Sequence, residues 1–221
     1  DSSLAFNSVA NGVINLAGTV TVSNNVLGSA YRSGVDIYNQ GGAISSLAIT
    51  GNDISSSSSA AASKGSGVLV QALGAGGGAA TVSTGSISSN TITGFPSGGG
   101  VLLFGGNVAG AVSATFGSAG SPITVTGNHI QGSSAAIPMA TQLILVAMAG
   151  RGSGAIDITS NGTVAQPLAF NLGNGISVNA TGAFTLRSNV SGNVVSPQTQ
   201  LGGAFGIAGG ADKQVMADSS V

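Results

Sequence analysis

Six aspartates, one histidine and five basic residues make up nearly all the side-chain acid–base chemistry of this 221-residue chain. The acids are Asp1, Asp36, Asp53, Asp157, Asp212 and Asp218, and there is no Glu and no Cys. Glycoside hydrolysis needs two carboxyl groups about 5–10 Å apart. No Asp-Asp or Asp-x-x-Asp pattern supplies such a pair here. Asp36 and Asp157 alternate with aliphatic residues, which makes them outward, solvated positions on strands. A calcium site takes about 6–8 oxygens, several of them from carboxylates. Gly209-Gly-Ala-Asp212 is one partial copy of a calcium-binding repeat and does not meet that need. Arg32, Lys64, Arg151, Arg187 and Lys213 are scattered and form no anion clamp. The expectation is no catalytic residue, no metal site and no cofactor, so the chain reads as a non-enzyme.

Other features point the same way. A net charge of −1 lacks the basic stripe that nucleic acid would require. The longest apolar run, Leu143 to Ala149, is far short of the ~18 residues of a membrane helix. Asn161, Asn179 and Asn189 head Asn-x-Ser/Thr sequons, which matter only in a glycosylating host. With 42% apolar residues, the chain does not have the composition of a disordered one.

The residues that recur at fixed spacing are asparagines. The phrase aliphatic-x-aliphatic-Ser/Thr-small-Asn-x-aliphatic appears as Val20–Leu27, Leu47–Ile54 and Ile123–Ile130. It returns with Gly in the first place as Gly85–Ile92, and in worn form as Ile156–Asn161. The asparagines at 25, 52, 90, 128 and 161 are separated by 27, 38, 38 and 33 residues, and a further echo ends at Asn189 or Asn193. Repetition at this period signals a solenoid. Helical periodicity is nearly absent, and short strands are bounded by Gly, Asn and Ser.

Between the phrases lies a second strand, usually led by Gly: Gly34–Tyr38, Gly67–Val70, Gly100–Phe104, and then Leu143–Val146. A third apolar stretch follows at Ala43-Ile44, Ala80–Val82, Val112–Phe116 and Ala155-Ile156. The reading is an all-β, single-stranded parallel β-helix (β-solenoid) of about six rungs. Each rung has three short strands and variable loops, swollen at Ser55–Lys64, Gly74–Ala80 and Gly105–Gly120. Val22, Ile49, Ile87, Val125 and Ile158 should stack as one internal row, and Leu27, Ile54, Ile92 and Ile130 as another. Asn25, Asn52, Asn90, Asn128 and Asn161 are expected to form a structural ladder at one corner. There they would take the φ > 0 that a tight turn needs and bond amide to amide. Asp53, Thr91 and His129 fill the slot after the ladder on three successive rungs, with Asp53 and His129 roughly 10 Å apart.

These V/I-S/T-G/S/N-N-x-I/L phrases resemble the right-handed parallel β-helix superfold of pectate lyases, phage tailspikes and bacterial adhesin or autotransporter passengers. The resemblance covers about residues 12 to 195 and implies a coil rather than an activity. The domain reading is a β-helix over 1–205 with a Gly-rich tail or junction over 206–221. No capping helix is visible at either terminus, and an open parallel edge recruits further strands. The opening Asp1-Ser-Ser and the closing Asp218-Ser-Ser read as though a longer repeat were restarting. The expectation is an extracellular or cell-surface structural or adhesive protein that stacks on itself in a fibre or belongs to a longer adhesin. Surface glycans are a second class of partner. The alternative is a polysaccharide-binding or -cleaving β-helix; sugar sites on such folds want exposed aromatics and acids, of which only Tyr31, Tyr38 and a few Phe residues are available.

Overall fold

The computed structural model describes residues 4–6, 15–30, 32–56, 65–74, 78–95, 98–107, 112–131, 142–170, 174–197, 205–211 and 215–220. Every regular element among them is a β-strand, and every pairing between strands is parallel. Val, Ile and Thr, the residues that fit a pleated, half-buried surface, make up about a third of the strand residues. Burial alternates along them with the period of two that pleating imposes, as in Val68–Ala72 and Ala183–Ser191.

The strands fall into three main sheets, and consecutive strands of the chain usually lie in different ones. A seven-stranded sheet stacks Leu4–Phe6, Val35–Asn39, Val68–Ala72, Gly99–Gly105, Gln142–Met148, Asn174–Ala180 and Phe205–Ala211 in chain order. A nine-stranded sheet holds Gly18–Ser23, Ala43–Thr50, Ala80–Val82, Gly85–Ser88, Ala114–Phe116, Ile123–Thr126, Arg151–Thr159, Ala183–Ser191 and Val215–Ser220. A four-stranded sheet stacks Val26–Ala30, Asp53–Ser56, Thr91–Thr93 and His129–Gln131. Leu168–Phe170 and Val195–Pro197 pair separately. Stacked parallel strands of this kind are compatible with a β-solenoid. The pairing runs past residue 205, the boundary drawn from sequence, because Phe205–Ala211 and Val215–Ser220 continue two of the sheets.

Inward residues form continuous rows. Val22, Ile49, Ile87, Val125, Ile158 and Val190 are register partners in succession, each at most 3% exposed. Ile54, Ile92 and Ile130 form a second buried row, headed by half-buried Leu27. Val35, Val68, Val101, Ile144 and Ile176 form a third. Burying each such side chain contributes about 1.5–3 kcal/mol.

The glycines that lead into the seven-stranded sheet are there for closeness of approach. A Cβ on Gly34 would lie 2.1 Å from Ile54 Cγ2, and one on Gly67 would lie 2.2 Å from Ile92 Cγ2. The isoleucine row of the next repeat therefore occupies the space a side chain would need.

One expected strand boundary is corrected. The third apolar stretch does not form a side of its own, because Ala43-Ile44 runs straight into Leu47–Thr50 as one strand, Ala43–Thr50. Ala155-Ile156 likewise lies inside Arg151–Thr159. In the middle repeats, Ser83-Thr84 and 117–122 interrupt the strand, but both halves stay in the same sheet. The direction of the chain changes instead at the asparagine, which separates the nine-stranded sheet from the four-stranded one at 25, 52, 90 and 128, and from the two-stranded pair at 161 and 193.

Candidate functional site

The most completely organised polar group in the molecule is that asparagine corner. Asn25, Asn52, Asn90, Asn128, Asn161 and Asn193 lie one above the next, joined by the same bonds at every step. The Asn52 Nδ2 donates to Asn90 Oδ1 at 2.9 Å, and the Asn52 backbone N–H donates to the same oxygen at 3.0 Å. Asn90 repeats the pair to Asn128, Asn128 to Asn161, and Asn161 to Asn193. Asn25 starts the series with both donors on Asn52 Oδ1 at 3.0 Å.

The second hydrogen of each amide turns the other way. Asn90 Nδ2 also donates to Ile49 O at 2.9 Å, and Asn128 Nδ2 to Ile87 O at 2.8 Å, both carbonyls in the repeat before. Each internal amide thus spans three repeats, its oxygen accepting two bonds and its nitrogen donating in both directions. The backbone carbonyls are satisfied too: Asp53 N–H donates to Asn25 O, Thr91 N–H to Asn52 O and His129 N–H to Asn90 O. Asn52, Asn90, Asn128 and Asn161 are no more than 1% exposed, a degree of burial that an amide tolerates only when fully bonded.

The turn conformation falls one residue earlier than expected. Positive φ is found at Asn24, Gly51, Ser89, Gly127, Ser160 and Gly192, with φ between 55° and 66°, and at none of the ladder asparagines. The left-handed residue makes the bend, which frees the next residue to aim its amide along the stack. The sixth ladder position is Asn193. Asn189 lies within Ala183–Ser191, in register with Asp157.

The other candidate residues do not converge. Asp53, Thr91 and His129 are register partners on the four-stranded sheet, with Asp53 and Thr91 exposed and His129 half-buried. His129 Nδ1 is buried and has no hydrogen-bond partner among the described residues. Asp36 is not solvated as its alternation implies: it is only 4% exposed, in the seven-stranded sheet beside Leu69. Asp157 is half-buried in the nine-stranded sheet between Thr124 and Asn189. Arg187 donates weakly to Ala119 O at 3.3 Å, and Arg32 and Arg151 are exposed. Among the described residues, no three His, Cys, Asp or Glu side chains gather where a metal ion could bind. Asp1, Tyr31, Lys64, Asp212 and Lys213 lie outside the described residues. Of the sequon asparagines, Asn161 is a buried ladder member, while Asn179 and Asn189 are half-buried in strands.

Two further surfaces are present, of which only the first is without a signal in the sequence; the second is the Ser/Thr place of the asparagine phrase. An open groove of about 380 Å³ runs along the C-terminal ends of the seven-stranded sheet, floored by Gln71, Phe104, Ala147 and Asn179 and rimmed by Leu73 and Ala149. The outer edge of the nine-stranded sheet carries an unbroken line of hydroxyl residues in register: Ser23, Thr50, Ser88, Thr126, Thr159, Ser191 and Ser220. Among the described residues no helix is long and apolar enough to cross a membrane. Comparison with family models, curated proteins and solved structures finds no match to this chain, so its function must be argued from its own residues.

Proposed function

We propose that this chain is a right-handed parallel β-helix with three sides per turn, akin to the pectate-lyase-like superfold, and that its role is structural. It serves as a β-solenoid unit that stacks end to end in an extracellular fibre or within a longer adhesin. The observation that carries this reading is the state of the sheet edges. Leu4–Phe6, Gly18–Ser23 and Val26–Ala30 are the first strands of their sheets, and Phe205–Ala211 and Val215–Ser220 are last in theirs. Among the described residues nothing pairs with their outer sides, and no helix lies over them.

Unpaired parallel edges at opposite ends are complementary, since each can accept the strand direction the other presents. A contact of this kind joins unlike surfaces and propagates without closing. The low charge favours it, because only 5% of residues are ionisable side chains of the Asp, Glu, Lys or Arg type and little repulsion opposes contact. Asp36 and Asp53 lie on different sheets, whereas Asp157 and Asp218 share the nine-stranded sheet on either side of Asn189; the core of stacked apolar rows accords with a scaffolding role.

Electron microscopy of the purified chain tests the reading. Seven stacked strands at the parallel-strand spacing give a unit about 34 Å tall, so filaments should show an axial repeat close to that height. Discrete particles at every concentration would count decisively against end-to-end stacking.

A further inference from the structure

We infer that Asn161 is a latent modification site: its amide is lost by deamidation when the fifth repeat opens, and the ladder holds it unreactive until then. The six ladder asparagines are followed by Val26, Asp53, Thr91, His129, Gly162 and Val194, so only Asn161 begins an Asn-Gly pair. That pair is chemically labile because a residue without Cβ lets its backbone nitrogen swing onto the preceding side chain. The Gly162 nitrogen attacks Cγ of Asn161, the Cγ–Nδ2 bond breaks, and ammonia leaves carrying the Gly162 proton. Water then opens the cyclic imide at one carbonyl or the other, giving Asp or isoaspartate at 161.

The fold itself demands this glycine. Gly162 has a φ of 69°, and a Cβ there would lie 2.6 Å from Val194 O and 2.7 Å from Leu168 N. It stands where the chain leaves the ladder for Leu168–Phe170 instead of a further strand of the four-stranded sheet. The turn of the fifth repeat thus imposes a labile dipeptide on a row that is otherwise free of one.

In the folded chain both reacting groups are occupied. Gly162 N–H donates to Asn128 O at 2.9 Å. Asn161 Oδ1 accepts from the Asn128 backbone N–H at 3.0 Å and from Asn128 Nδ2 at 2.9 Å, while Asn161 Nδ2 donates to Val125 O and Asn193 Oδ1, each at 2.8 Å. The residue is 0% exposed. Attack requires the amide to rotate out of these bonds, so the reaction runs through an opened state and follows its population. The product cannot restore the ladder. A carboxylate has no hydrogen to give Val125 O or Asn193 Oδ1 and sets acceptor against acceptor. Isoaspartate also lengthens the main chain by one atom and spoils the register. An opening that lasts long enough to react therefore becomes irreversible at this repeat.

Peptide mapping by mass spectrometry tests this on the full chain, kept folded in mildly alkaline buffer or unfolded by urea in the same buffer. In urea Asn161 should convert at the pace of Asn11 and Asn174, the other two asparagines followed by glycine, and well ahead of Asn193. In the folded chain its rate should fall at least about a hundredfold, because only the opened fraction reacts. Asn193→Ala removes the acceptor shared by the Asn161 backbone N–H and Nδ2. It should raise the folded-state rate at Asn161 about tenfold, the weight of one buried hydrogen bond, and leave the rate in urea unchanged. Should that variant fail to fold, the comparison of folded with unfolded unsubstituted chain still decides. Asn161 reacting as fast folded as unfolded, reacting no faster than Asn193 in urea, or keeping its folded-state rate in folded Asn193→Ala would overturn the proposal.

Discussion

Where the chain leaves the nine-stranded sheet it turns on a left-handed residue followed by Asn in all six repeats, four times into the four-stranded sheet and twice towards the two-stranded pair, whereas from the seven- to the nine-stranded sheet it takes from two residues to eleven. The two corners hold their bends by different means. At the asparagine corner a side chain bonds to the repeats before and after, so each turn is registered against its neighbours. At the other corner the short connections Ala149-Gly150 and Thr181-Gly182 turn on glycine, with φ of 75° at both. Glycine supplies the backbone conformation without reaching the next repeat. That corner is where the chain has lengthened, through 73–79 and 106–113, and where the groove lies. A ladder of the same amide in every repeat conserves geometry; the other corner repeats no side chain in this way, although Asn39 there accepts from Leu16 N–H of the repeat before at 3.1 Å, and its length varies.

The largest effect should come from inserting one residue on each side of this contrast. An extra Gly between Ser89 and Asn90 shifts the strands that follow against their partners and moves inward side chains outward. Urea unfolding should show a loss of more than about 3 kcal/mol, or no folded protein, because Ile92 and Asn90 both leave their rows. The same insertion after Asn107 lengthens an eight-residue connection and should cost less than about 0.6 kcal/mol, since closure entropy grows slowly with length. The fifth repeat already shows the limit of tolerance: its extra turn at Thr163–Gln166 is placed after Asn161, leaving the Ser160-Asn161 pair intact. Equal losses at the two sites would show that the ladder does not set the register.

Next in size is the amide itself. Asn90→Ala removes four bonds: two accepted from Asn52 and one donated to each of Ile49 O and Asn128 Oδ1. It takes the acceptor from the buried Asn52 backbone N–H and the amide donor from Ile49 O, while Asn128 Oδ1 keeps its bond from the residue 90 N–H, so the expected loss is about 3–5 kcal/mol. Asn179, an amide at the groove, bonds through Nδ2 to Ser177 Oγ on its own strand. Asn179→Ala should cost less than about 1 kcal/mol by the same measurement.

The contrast also explains what could be read from the sequence. The asparagine phrase was legible because stacked amides require the same residue at the same place in every repeat. The inward rows were legible because pleating fixes a period of two. Asn193 was confusable with Asn189 because both follow an aliphatic-rich segment, and only Ser191-Gly192 before Asn193 supplies the left-handed residue. Left-handed conformation and amide bonding are both asparagine chemistry, and alternation cannot separate neighbours that divide the two tasks. Asp36 departs from its expected exposure for another reason: periodicity tells which side of a sheet a residue faces, not what covers that side. Ser and Gly clusters mark interruptions such as 117–122 as strongly as true corners, so the third apolar stretch looked like a separate strand. The groove gave no periodic signal, because its outer row changes residue type at each repeat, Gln71, Phe104, Ala147 and Asn179.

The smallest prediction sharpens the division of labour within the asparagine corner. The residue before the ladder is Gly at 51, 127 and 192, Asn at 24, and Ser at 89 and 160, all with positive φ. A non-glycine residue in that region pays about 1–2 kcal/mol in contacts between its Cβ and the backbone, while glycine loses about 0.5–1 kcal/mol more chain entropy on folding. Ser89→Gly should therefore stabilise the protein by about 0.5–1 kcal/mol, raising the urea midpoint without changing its slope. Moving the glycine one place on, as Asn90→Gly, should instead lose the amide's several kcal/mol, although glycine accepts any backbone angle. If the two changes had effects of the same sign, the bend and the ladder would not be separate tasks of adjacent residues.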